Sequence, residues 1–237
     1  MMLIIGSSGK LGRQLEKAFP EALAPKHEEL DVKDRGEVES YIKKFRPHTI
    51  IHAAALTNVR QCEIDKKSTW DTNVVGTENL VGACASVVPN CYFVYMSTAC
   101  VFYGDRGDYI ETDIPNPKNF YSFTKLLGEF IVKKLSNHLI IRTNFVERGE
   151  WPYEKAFIDR FGTYLFADDL TLAIKEVIGK KLAGVVHVAG DKKFSMFELA
   201  KLTTPNVKPM TMKEADLPLT QDMTLRSIRI KPYKLTI

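Results

Sequence analysis

Apolar residues in this chain fall alternately into short unbroken runs and into helical spacings. Met2-Leu3-Ile4-Ile5, Thr49-Ile50-Ile51-His52, Tyr92-Phe93-Val94-Tyr95-Met96, Leu139-Ile140-Ile141-Arg142 and the stretch from Gly184 to Gly190 are too short for helices. They are apolar at successive positions, as strands buried on both faces must be. Helical spacing predicts helices over Leu11 to Phe19, Arg35 to Phe45, Thr69 to Ala85, Tyr121 through Phe130, and Asp168 to Ile178. Pro47 closes the second, and Gly76 and Gly82 inside the third point to close contacts with a neighbour. Ala22-Leu23-Ala24 is predicted as a further strand. Strand and helix alternate with no tight hairpin, which predicts an α/β fold with a doubly wound parallel sheet. After Arg142 the pattern loosens: residues 143–162 read as a loop or small lid, and Ser195 with Glu198 reads as a capping box. Beyond Thr204 little structure is visible.

Gly6-Ser7-Ser8-Gly9-Lys10-Leu11-Gly12 stands between the first strand and the first helix. Glycines three apart at such a junction let the backbone approach a pyrophosphate seated on the helix N-terminus, which makes the sheet Rossmann-type. Where an NAD-selective site places an acid for the ribose 2′-hydroxyl, this chain has Lys26 and His27, with Arg13 beside the last motif glycine. Cations suit a 2′-phosphate, so NADP(H) is favoured over NAD(H). The small residues Ala53-Ala54-Ala55 at a strand's carboxyl end leave room for a ligand, while His52 reads as a core residue.

Ser97 and Thr98 end the third strand, and Tyr121 and Lys125 share one face of the helix that follows. An ammonium beside a phenol favours the phenolate and lowers the Tyr pKa, which suits proton transfer to an oxygen at neutral pH. The Thr98 hydroxyl could hold the same oxygen.

Composition adds limits. The chain has 237 residues, 45% hydrophobic and 26% charged, enough for one large α/β domain with a small appendage. No apolar run reaches the roughly 18 residues of a membrane span, and the N-terminus does not read as a signal peptide. Cys62, Cys84, Cys91 and Cys100 lack metal-ligand spacing and read as reduced buried thiols of a cytoplasmic protein, with no metal site. The net charge of +4 is matched by the last 37 residues, with seven cations and three acids. That excess is too dilute for nucleic acid and fits a solvated surface or a small anionic ligand.

Taken together, the glycine motif, Asp31, Ala53-Ala54-Ala55, Asn73, Ser97-Thr98 and Tyr121/Lys125 resemble the extended short-chain dehydrogenase/reductases, in particular the dTDP-4-dehydrorhamnose reductase branch. Leu30 to Arg35, Arg46 to Ile51, Ala53 to Val59, Ser97 to Phe102, Pro115-Asn116-Pro117 and Arg160 to Thr163 carry the likeness, which covers about residues 1–190. The resemblance implies an NADP(H)-binding domain over 1–142, rejoined by 163–189, and a small substrate-binding region from 143–162 and 190–237. It implies a cofactor held by Gly6, Ser8, Gly9, Lys10, Leu11, Gly12, Asp31, Val32, Ala53, Ala54, Ala55, Thr57, Asn73, Tyr121 and Lys125. Catalysis would fall to Thr98, Tyr121 and Lys125, with hydride delivered to a sugar C4 ketone and Tyr121 as proton donor. Thr98, Asn144, Arg148 and Arg160 would hold a nucleotide sugar. Asn73 would support helix geometry or a relay water, and the protein would be a monomer or homodimer. Two features depart from the branch. Arg142 and Arg160 are 18 residues apart where about thirty are usual, so the substrate region is shortened. Ala99-Cys100 also replaces an Asp-Tyr, and the Asp-Glu pair of the related dehydratases is absent, which disfavours elimination. The alternatives are a cofactor-binding regulatory subunit similar to the methionine adenosyltransferase beta subunit, and a nucleotide-sugar epimerase.

Overall fold

The computed structural model describes residues 1–236. Five parallel strands form the main sheet in sequence order: β1 (Met2–Ile5), β2 (Thr49–His52), β3 (Tyr92–Met96), β4 (His138–Arg142) and β5 (Gly184–His187). Every residue of β2 and β3 is buried, as their unbroken apolar runs require. Helices α1 (Lys10–Ala18), α2 (Arg35–Phe45), α3 (Gly76–Val87), α4 (Phe120–Val132) and α5 (Ala167–Gly179) cover the two faces. Val38 and Ile42 of α2, Leu80 of α3 and Ile131 of α4 pack on one side with Leu3, Ile50 and Phe93. Leu11 and Leu15 of α1 and Leu170 and Ile174 of α5 pack on the other with Ile4, Ile51 and Val94. The chain is therefore doubly wound, and α2 has the bounds its spacing predicts.

Three local expectations change. Ala22-Leu23-Ala24 is no full strand: a single bridge joins Leu23 to Leu3, with Ile4 N donating to Leu23 O at 2.8 Å. Pro20 and Pro25 close in on either side, and neither has an N–H to extend the ladder. The helix expected over Thr69 to Ala85 breaks into Lys66–Trp70, a π-helical turn Asp71–Val75, and α3. Of its two glycines, only Gly76 makes a close contact. A Cβ there would lie 2.7 Å from Val32 Cγ2, whereas one on Gly82 would meet nothing within 4 Å.

The segment 143–162 and the tail are more ordered than the sequence suggests. Phe161–Gly162 forms the middle of a small sheet, antiparallel to Phe194–Ser195 and parallel to Asp222–Met223. Lys155–Phe157 pairs in parallel with Lys208–Met210. Ser195 and Glu198 form the predicted capping box, and Thr211 and Glu214 form a second one. This interleaved region leans over the carboxyl ends of the main strands, where a doubly wound fold binds its ligands.

Candidate active site

The glycine motif is shaped for a close ligand. Gly6 has φ +88°, and a Cβ on Gly12 would lie 2.0 Å from Gly6 O, so neither position accommodates a side chain. Gly9 caps α1 without a side-chain hydrogen bond, leaving the first backbone N–H groups of the helix for an anion. Beside it, Ser8, His27, Asp31, Val32, Lys33, Ala54 and Thr72 line a cavity of about 140 Å³. These features fit an adenine dinucleotide. Arg13 and Lys26 turn away from that cavity: Arg13 pairs with Glu147 and donates to Ser8 O at 2.8 Å, and Lys26 pairs with Glu16 at 3.0 Å. His27 stays at its wall, joined by Lys33, which the sequence reading passed over. Burial alone would raise the Asp31 carboxyl, but hydrogen bonds and charge from Lys33 outweigh it and hold the pKa below the usual value. The charge that would select a ribose 2′-hydroxyl is thus already balanced.

A larger cleft of about 840 Å³ opens between the strand ends and the interleaved region. Thr98, Tyr121, Asn144, Arg160, Lys10 and Thr57 line it; Arg148 does not. Arg148 instead pairs with Asp168 at 2.7 Å and Asp169 at 3.1 Å and lies over the Phe166 ring, so its charge is already matched. Asn144 is buried and donates Nδ2 to Met223 O at 2.7 Å, fastening the tail to the end of β4.

Tyr121 stands at the first turn of α4, which Asn119 caps by accepting from Ser122 N at 2.9 Å. Burial raises the Tyr121 pKa, Cys100 adds to the rise, and a hydrogen bond with Thr98 and the charge of Arg160 oppose it. The phenol is therefore neutral at pH 7, contrary to the expected lowering by Lys125. Lys125 is 3% exposed, with Nζ 4.0 Å from the Tyr95 ring centroid. Burial takes its pKa down to about 7, against a raising influence from Glu129. With its pKa lowered by burial and its ammonium over another ring, Lys125 is not the group that sets the Tyr121 pKa.

Beneath these groups lies a buried ion pair that the sequence reading missed. Glu129 accepts from Arg142 Nε at 2.9 Å, from Arg142 Nη2 at 2.7 Å and from Ser97 Oγ at 2.6 Å. Its signals were a carboxylate four residues after Lys125 on one helix face, and an arginine ending an apolar strand. A charge in either place needs a partner. Asn73, in the π turn, has both amide groups engaged by protein. Its Oδ1 accepts from Leu56 N at 2.8 Å, and Nδ2 donates to Leu56 O at 3.0 Å and Thr124 Oγ1 at 2.9 Å. Asn73 thus ties the loop after β2 to α4. His52 is a core residue: burial takes its pKa down to about 3, with the charge of Lys125 adding to the fall. Thr77 donates its one hydroxyl proton to Asn73 O at 2.7 Å, so His52 Nε2, at 3.0 Å, carries the ring proton.

A glycine cradle at the start of a parallel sheet and a cleft lined by Thr98 and Tyr121 at its carboxyl end mark the Rossmann-type class of α/β protein. Residues 1–161 match the family described as RmlD substrate binding domain, and the chain belongs to that family. The chain is 32% identical over 227 residues to the dTDP-4-dehydrorhamnose reductase of Aggregatibacter actinomycetemcomitans, an alignment spanning 84% of this chain and 76% of the relative. It is 28% identical to the methionine adenosyltransferase 2 subunit beta of Xenopus tropicalis, over 88% of this chain and 75% of that one. Among solved structures, the dTDP-4-dehydrorhamnose reductase of Bacillus anthracis in complex with NADP superposes with TM-score 0.85 at 29% identity, over 94% of this chain and 89% of that one.

Proposed function

We propose that the protein is an NADP(H)-dependent reductase of a nucleotide-linked 4-keto sugar. The observation that carries this reading is the meeting, in one cleft, of a neutral Tyr121 and the Thr98 hydroxyl beside a glycine cradle that no side chain can fill. Gly6, Gly9 and Gly12 with the α1 N-terminus would hold the pyrophosphate, and Asp31, Val32 and Lys33 the adenosine end. A bound nicotinamide would supply hydride to the ketone carbon. Tyr121 then gives its Oη proton to the oxygen, so ketone, hydride and proton become a secondary alcohol. Thr98 holds that oxygen through Oγ1 as charge develops. Tyr121 is fit to donate because burial keeps it protonated. Lys125 would serve the cofactor's sugar hydroxyls rather than a phenolate.

The similarity to the methionine adenosyltransferase beta subunit supports a second reading, a cofactor-binding subunit without turnover. One experiment separates the two. With a panel of nucleotide-linked 4-keto sugars, neutral and acidic, dTDP-4-dehydrorhamnose among them, the wild type should oxidise NADPH with at least one member, and Tyr121→Phe should lose at least about a hundredfold in turnover, the scale of general acid catalysis. NADPH affinity should stay within twofold. No turnover by the wild type favours the subunit reading, and activity of Tyr121→Phe within threefold of wild type removes Tyr121 as the acid.

A further inference from the structure

The guanidinium of Arg160 has no carboxylate partner among the described residues, although it sits in a cleft wall. Its Nε donates to Thr220 O at 3.0 Å. The outer nitrogens face sulfur alone: Nη1 lies 3.2 Å from Met196 Sδ, and Nη2 lies 3.3 Å from Met223 Sδ and 4.0 Å from Cys100 Sγ. Thioethers and thiols are weak acceptors, and a partly buried guanidinium left with them retains most of its capacity for an anion. By contrast, Arg13, Arg142 and Arg148 are paired with carboxylates. A second observation marks the same wall. The Tyr164 hydroxyl, on a residue 3% exposed, has no hydrogen-bond partner among the described residues and lines the same cleft.

This niche is level with the reacting phenol. Cys100 touches the guanidinium, and its N–H donates to Thr98 Oγ1 at 3.1 Å. Arg160 and Cys100 both bear electrostatically on Tyr121. A group held here therefore belongs to the ring whose carbonyl is reduced, and a diphosphate linked to that ring has other cations of the same cleft, Arg60 and Lys155, to meet. Resting on the reductase reading above, we propose that Arg160 and Tyr164 form a carboxylate site, so that the substrate is a nucleotide-linked keto sugar with an acid group beside its reacting carbon. A planar guanidinium fork matches a carboxylate with two parallel hydrogen bonds, and the Tyr164 hydroxyl can add a third.

The test is calorimetric titration of the NADP⁺-loaded protein with uronate and neutral forms of one nucleotide sugar. UDP-glucuronate is set against UDP-glucose, and dTDP-glucuronate against dTDP-glucose, with free UDP and dTDP as controls. The wild type should bind the uronate about ten- to a hundredfold tighter than its neutral partner. Arg160→Gln should bring that ratio to within twofold of one without weakening the free nucleotide, and Arg160→Lys should keep part of it. A ratio near one in the wild type overturns the carboxylate site and leaves the reductase reading intact. Equal weakening of the sugars and the free nucleotides by Arg160→Gln also overturns it, and makes Arg160 a diphosphate ligand. If no nucleotide or nucleotide sugar binds the wild type, this proposal and the substrate class both fail.

Discussion

Replacing Glu129 with Gln should test the ion pair beneath the segment that carries Ser97 and Thr98. The Glu129 and Arg142 side chains are 1% and 3% exposed, and the carboxylate accepts three hydrogen bonds, at 2.6, 2.7 and 2.9 Å. Gln keeps the shape and one good acceptor but removes the charge. Arg142 is then left buried and unpaired, with Nη1 already lacking a partner among the described residues. Breaking such a pair costs about 3–5 kcal/mol, and the retained amide oxygen places this substitution near the lower figure, about 3 kcal/mol. For a chain of this size each kcal/mol moves Tm by about 2–4 °C, so a fall of about 6–12 °C is expected in a calorimetric melt. The double variant Glu129→Leu/Arg142→Met removes both charges and should recover to within about 2 kcal/mol of wild type in urea unfolding. A single-variant loss below 1 kcal/mol, or a double variant no better than the sum of the two singles, would refute the view that unpaired charge sets the cost. Turnover should fall further than stability accounts for, because Ser97, which stands next to Thr98, then shares a single uncharged acceptor with Arg142 Nε.

Three other outcomes follow from the geometry. Lys125 should titrate near pH 7, well under the ordinary 10.5, and NMR of ¹³C-labelled lysines should show one such resonance, absent in Lys125→Met; a full set titrating above about pH 9.5 would count against it. The folded protein then holds fewer protons at Lys125 than the unfolded chain between about pH 7 and 10.5. The cost of burying it is present in full below pH 7 and is relieved as pH rises through that window. Gly12→Ala should weaken NADPH binding at least tenfold in a fluorescence titration, because its Cβ would meet Gly6 O at 2.0 Å; Gly82→Ala, which meets nothing, should bind normally and gain up to about 1 kcal/mol of stability. Wild-type binding by Gly12→Ala would show that the cradle can shift. Replacing His27 and Lys33 together with Ala should cut NADPH affinity about tenfold and leave NADH affinity nearly unchanged, and equal losses for both would make these residues bystanders to the 2′-phosphate.

What the sequence disclosed, and what it hid, divides along physical lines. The buried strands and α2 were legible because a parallel sheet forces apolar residues into successive positions and helices repeat at 3.6. The glycine cradle was legible because only a missing Cβ permits those approaches. Side-chain partners across the fold were not. Arg148 looks free in the sequence, and Asp168 and Asp169, which neutralise it, arrive only when α5 folds back. Tyr121 and Lys125 do share a face, yet the ammonium reaches the Tyr95 ring, a choice fixed by the neighbouring strand rather than by spacing. The order in the tail was hidden because its strands are two or three residues long and lie against partners 32 to 61 positions earlier.

That interleaving bears on how the protein comes into being as it is synthesised. The main sheet is complete once Gly184–His187 has emerged, so the glycine cradle can settle early. The wall of the larger cleft needs Thr220 and Met223, about 35 residues later. At ordinary synthesis rates of about 5–20 residues per second, the two events are about 2–7 s apart. On the function proposed above, a nascent chain thus passes through a stage at which its cradle for a dinucleotide is formed but it has no finished place for a second molecule. Cofactor captured then would stabilise the half-made protein before its chemistry can begin.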